Sequence, residues 1–141
     1  MFDTRNFTRK TPPQIPYETI KNAVLGEAYD LSLAFIGSTR SRRLNRERRG
    51  KDRPANVLSF PYGRQEGELL LDLNFAKDKN SALLLFIHGL FHLKGMRHGR
   101  IMEVNEANIT KLFSTKYNGA NHNNGNRRRH IRNSGGRLRA R

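Results

Sequence analysis

Apolar side chains recur at helical spacing in YETIKNAVLGEAY, residues 17–29, where Ile20, Ala23, Val24 and Ala28 form one stripe behind prolines at 12, 13 and 16. LSLAFI, residues 31–36, is a continuous apolar run stopped by Gly37, the pattern of a buried strand. Ser38 is placed to cap a short helix running towards Asn45. NVLSF, residues 56–60, predicts a second strand ended by Pro61, and GELLLDL, residues 67–73, a third after a turn containing Gly63. From Ser81 to Leu93 the chain is apolar on nearly every side, as a helix central to the core would be. A last helix is predicted over Ile101–Phe113, with Met102, Ile109, Leu112 and Phe113 on one stripe. There is no internal repeat. The order α-β-α-β-β-α-α predicts an α+β fold, a small mixed β-sheet packed with helices, with the helix at 81–93 at its centre.

Composition adds a polyanion to this picture. The 141 residues suit one compact domain, and 27 Lys and Arg against 12 Asp and Glu give a formal charge of +15. From Gly119 onward the chain is mostly Asn, Arg and Gly, which predicts a disordered basic tail over 119–141. Its seven arginines, unaccompanied by acids, leave +8 of the +15 on residues 1–118. Much of that remainder sits in GSTRSRRLNRERRGKDRP, residues 37–54, with eight basic and two acidic side chains. Two separate basic clusters favour a polyanionic partner, such as nucleic acid or an anionic membrane surface, over a merely solvated face. Residues 1–16 read as an N-terminal extension to a domain over 17–118. The absence of cysteine excludes thiolate metal sites and disulfide scaffolds. No apolar run suits a signal peptide or a membrane span, so the expectation is a soluble cytoplasmic protein without membrane contact.

The candidate chemistry lies in LFIHGLFHLKGMRHG, residues 85–99. His88 and His92 are four apart on the predicted core helix, one turn apart on one face. Gly95 can take the left-handed conformation that ends a helix, so that the chain folds back and carries His98 towards the same point. Three imidazoles converging with one position open is the donor set of a catalytic zinc site. Such an ion acidifies water and polarises a carbonyl or phosphoryl oxygen. His122 and His130, in the tail, have no such arrangement. The same spacing occurs in zinc peptidases with H-E-x-x-H-x-x-G-x-x-H, but their basic Glu is Gly89 here, so that a phosphodiester fits this basic chain better than a peptide.

LNRERRGKDRPANVLSFP, residues 44–61, together with HGLFHLKGMRH, residues 88–98, resembles the YbeY family of metal-dependent ribosomal RNA maturation endoribonucleases, the similarity running from about Tyr17 to Phe113. The resemblance implies an α+β fold and one zinc per chain bound by His88, His92 and His98. It implies cleavage of single-stranded RNA in maturation of the 3′ end of small-subunit (16S) ribosomal RNA and in ribosome quality control. Arg49 falls on the family's proposed catalytic, RNA-contacting arginine, and His88 is the second candidate catalytic residue. Arg46, Arg48, Lys51 and Arg97 are further candidate RNA contacts, while Lys51 and Asp52 together are expected to fix the turn into the strand, the Asp side chain bonding local amides. Partners by analogy are the ribosome, ribosomal proteins or an assembly GTPase. Two departures stand out: Arg97 occupies the acidic position of the usual Gly-Tyr-Asp-His, which should weaken the metal site or demand another partner for its ligands, and the segment ahead of the histidine helix is short. The alternative is a ribosome-associated RNA-binding protein with a structural metal and little catalysis. Whether water or the RNA 2′-hydroxyl attacks is open, and no general base stands out among Glu47, Glu66 and Glu68.

Overall fold

A computed structural model describes residues 1–117 of the chain, the side chains as far as Ser114. The elements run β1 (Phe2–Asn6), α1 (Tyr17–Leu25), β2 (Asp30–Ile36), α2 (Ser38–Arg49), β3 (Val57–Gly63), β4 (Glu66–Asp72), α3 (Lys79–Leu93) and α4 (Arg100–Tyr117). The sheet order is β1-β2-β4-β3, with β1, β2 and β4 parallel and β3 antiparallel to β4. Strand alternation divides the apolar residues between two faces. Leu31, Leu33 and Phe35 of β2 and Leu69 and Leu71 of β4 join the main core with α1, α3 and α4. Ala34, Ile36, Leu58 and Leu70 point the other way, into a smaller cluster beneath Leu44 of α2. Each fully buried Leu or Phe in these layers stabilises the fold by roughly 1.5–3 kcal/mol. α3 is buried from Ala82 to Leu93 except at His92, as its all-round apolar sequence requires. Among the described residues, no helix is long and apolar enough to cross a membrane.

Several local expectations need correction. Residues 1–16 are not all an extension, because Phe2–Asn6 pair in parallel with Leu31–Phe35 as an edge strand. FDTRN shows no apolar alternation because this strand is held by backbone bonds and is mostly exposed. The first helix stops at Leu25, with Gly26 at φ 90°, which leaves Ala28 outside it. Gly37, not Ser38, is the N-cap of α2. The Ser38 hydroxyl instead donates to Asp72 at 2.7 Å, and the helix runs one turn beyond Asn45. β3 continues through Pro61 because it is an edge strand, where a missing N–H costs no ladder bond, and its register shifts between Pro61 and Gly63. Leu112 is 57 % exposed, so the inner stripe of α4 runs through Met102, Ile109 and Phe113 without it. The segment between β4 and α3 is six residues, 73–78, without a helix of its own. The predicted tail, 119–141, lies outside the described residues.

Candidate metal centre and basic cleft

Asp78 opens α3 by accepting a hydrogen bond from Ser81 N at 2.8 Å, and the helix closes as the sequence predicts. Gly95, at φ 92°, donates to His92 O and Met96 N donates to Phe91 O, the paired bonds of a Schellman ending. Met96 then packs against the core, and the reversal brings His98 to the end of α3 that carries His88 and His92. The three rings lie with centroids 4.6, 4.6 and 5.0 Å apart. One ligand nitrogen from each falls within 4.8 Å of the others, and the Nε2 atoms of His88 and His92 are 3.0 Å apart.

A fourth residue, which sequence reasoning missed, completes the centre. Glu106, on the inner side of α4, accepts a hydrogen bond from His88 Nδ1 at 2.5 Å. That bond assigns the ring proton to Nδ1 and leaves the Nε2 lone pair of His88 for a ligand bond. Its signal was a carboxylate four residues after Met102 and three before Ile109, on an otherwise apolar stripe. Burial, then the neighbouring His88 and His98 rings, pushes the pKa of His92 from 6.5 down to about 4; Arg49 adds to this and Glu106 opposes it. His92 is therefore neutral at physiological pH, as a ligand must be. These features fit zinc: bonds of about 2.0–2.1 Å at tetrahedral angles hold ligand nitrogens about 3.3 Å apart, near the 3.0 Å between His88 and His92 and inside the 4.8 Å that encloses all three. Ring exposure rises from buried His88 to half-buried His92 to exposed His98, so the centre opens to solvent on one side.

That side is a cleft of about 370 Å³, walled by the end of α2, the α2–β3 loop, β3 and the three histidines. Arg48, Arg49, Lys51 and Arg53 line it, and no carboxylate is among its lining residues. The loop is pinned from below. The buried Ser41 hydroxyl donates to Ala55 O at 2.6 Å and accepts from Ala55 N at 2.8 Å, while Asn45 Nδ2 donates to Arg53 O at 2.9 Å. Asp52 does not bond local amides as expected; it accepts from Arg42 Nε at 2.8 Å and Arg42 NH2 at 3.1 Å, and pairs with Arg46 at 3.4 Å. The hydrogen bonds from Arg42 hold its carboxyl below the usual carboxylate range. Of the predicted site residues, the fold brings Arg48, Arg49, Lys51, His88, His92 and His98 together at the cleft. It ties Arg46 to Asp52 and leaves Arg97 exposed, outside the lining. Ser59 also lines the cleft, where its hydroxyl donates to Gly89 O at 3.1 Å. Gly89 faces the sheet: a Cβ there would stand 2.6 Å from Leu69 Cδ1 and 3.0 Å from Val57 Cγ2. The general base of a zinc peptidase could not stand at this position.

Comparison with known proteins gives the same answer. The family model for "Endoribonuclease YbeY" matches residues 5–115. The protein so named from Sulfurihydrogenibium sp. is 30 % identical over 126 residues, covering 78 % of this chain and 77 % of its own length. That from Chromohalobacter salexigens is 35 % identical over 112 residues, covering 64 % and 73 %. The solution structure of TM1509 from Thermotoga maritima matches the fold with a TM-score of 0.55 at 18 % identity, over 86 % of this chain and 94 % of its own. The histidine centre, the GKD-to-SFP segment that walls its cleft, and a family match across most of the described residues agree: this chain belongs to the YbeY endoribonuclease family.

Proposed function

We propose that the endoribonuclease activity of this family is exercised here by one zinc ion on His88, His92 and His98, on single-stranded ribosomal RNA drawn through the basic cleft. The observation that carries this reading is the convergence of three ring nitrogens, one oriented by Glu106, at the floor of an acid-free basic cleft. Zinc so held supplies Lewis acidity, polarising a phosphoryl oxygen and acidifying water. His88 enters through Nε2 because Glu106 holds the Nδ1 proton, and neutral His92 offers a lone pair without first losing a proton. Arg49, unpaired among the described residues, binds a non-bridging oxygen of the scissile phosphate and stabilises the charge that builds there. Arg48, Lys51 and Arg53 hold neighbouring phosphates and set the register of the strand. The openness of the centre favours catalysis over a structural pin, since structural zinc sites are closed.

The finer setting rests on the family: maturation of the 3′ end of small-subunit RNA, ribosome quality control, and company among ribosomal proteins or an assembly GTPase. The test begins with elemental mass spectrometry of the purified chain beside a His88/His92/His98→Ala variant. About one zinc per chain in the parent alone, with cleavage of single-stranded RNA that fails in Arg49→Ala, is the expected result. Metal-free yet folded protein would end the zinc reading. Zinc and RNA binding without cleavage would make the metal a structural pin. A 2′,3′-cyclic phosphate on the cut end would assign the attack to the 2′-hydroxyl.

A further inference from the structure

The arginines of α2 are not equivalent once their neighbours are known. Arg42 and Arg46 are taken up by Asp52. On another side of the helix Arg40, Leu44 and Arg48 stand at i, i+4 and i+8, a single row. Each end of the row carries the same device. Arg48 lies over the ring of Phe60, its guanidinium carbon 4.7 Å from the centroid, at the cleft wall. Arg40 lies over the ring of Phe7 at 4.4 Å. The two arginines are about 12 Å apart along the helix axis. Phe7 follows β1 and is 51 % exposed, in a protein whose other phenylalanines, as far as Phe113, are buried or half-buried. Its neighbours along the chain, Arg5 and Arg9, are exposed cations. A half-exposed aromatic ring beside a planar guanidinium, amid cations with no ion pair among the described residues, is what a stacked nucleobase and its phosphate require.

We propose that the Phe7–Arg40 stack is a second contact for single-stranded RNA, outside the metal cleft, so that the strand leaving the cleft at Arg48 and Phe60 runs along the Arg40–Leu44–Arg48 row. This rests on the reading of the cleft as an RNA site. A base stacks on the open face of the Phe7–Arg40 pair, and Arg40 neutralises the adjoining phosphate. The contact is blind to sequence, since every base has a π-face. It lengthens the recognised strand and leaves the chemistry at the histidines.

The chain contains no tryptophan, so Phe7→Trp installs a unique fluorophore at the site. The full-length variant is titrated with a 12-nucleotide oligouridylate in the presence of chelator, with binding followed in parallel by anisotropy of the labelled RNA. Saturable quenching of the tryptophan in step with the anisotropy is expected. Phe7→Leu should weaken binding about five-fold or more without changing the salt slope, because a ring and no charge is lost. Arg40→Gln should weaken it comparably and flatten the slope of log affinity against log salt by about 0.7. Lys111→Gln, an exposed charge on α4 across the sheet, controls for general electrostatics. Normal binding with silent tryptophan, and Phe7→Leu and Arg40→Gln at parental affinity, overturns the second contact. If Arg49→Gln still weakens binding in that case, the cleft reading survives. If the parent chain binds no RNA, both readings fall together.

Discussion

His88 is buried to 6 % exposure on a helix whose other buried positions are all apolar or glycine, and its bond to Glu106 is what makes that burial tolerable. Because the same bond sets the ring tautomer, Glu106→Gln should lower zinc affinity about ten-fold and Glu106→Ala up to about a hundred-fold, as read by competition with a chelator. Equal affinity in all three proteins would reduce Glu106 to a packing residue. His92 has a pH signature of its own. With a pKa of about 4 folded against 6.5 unfolded, it leaves the unfolded chain binding more protons between those values. Stability contributed by neutral His92 is therefore present above about 6.5 and is lost as pH falls towards 4. The thermal midpoint of metal-free protein should drop between pH 7 and pH 5, and His92→Leu should flatten that dependence.

The elements show where hydrophobic pattern informs and where it does not. α3 announces itself, since an all-round apolar helix must be central. Its Gly89 looked like a missing catalytic glutamate, whereas the packed helix shows a close approach of α3 to the sheet. Gly89→Ala must push aside Leu69 and Val57 and should cost about 1–3 kcal/mol, measured by urea denaturation. A neutral substitution would mean that the sheet yields there. α2 is the opposite case. STRSRRLNRERR reads as a solvated charged helix, yet its buried residues are polar: Ser41 and Asn45, i and i+4, hold the loop that forms the cleft wall. No scale of hydrophobicity finds an inner face made of hydrogen bonds. β1 escaped notice for a related reason, because an exposed edge strand pairs through its backbone and needs no apolar alternation.

Across the whole molecule the sheet separates two environments. α1, α3 and α4 bury the main core on one face, and α2 carries its arginines over the other, so that the cleft forms where the α2–β3 loop meets edge strand β3 and the histidine end of α3. The +15 formal charge, to which residues 119–141 supply seven arginines, predicts a strongly salt-dependent RNA affinity. Deleting residues 119–141 should leave the thermal midpoint where it is and give a shallower salt dependence of RNA binding. An unchanged slope would remove the tail from the interface.

The sequence alone determined what lies within reach of one element. The 88/92 spacing is a property of a single helix turn, and the reversal at Gly95 that recovers His98 needs only the next few residues. The apolar runs likewise specified three of the four strands and the core helix. Tertiary structure decided every pairing made across elements: Glu106 to His88 over 18 residues, Asp52 with Arg42 and Arg46 in preference to its own turn, and Arg40 over Phe7. Charged residues of one kind look alike along a chain. Which of them is spent on a neighbour, and which faces a cleft, depends on how the sheet and helices bring distant segments together.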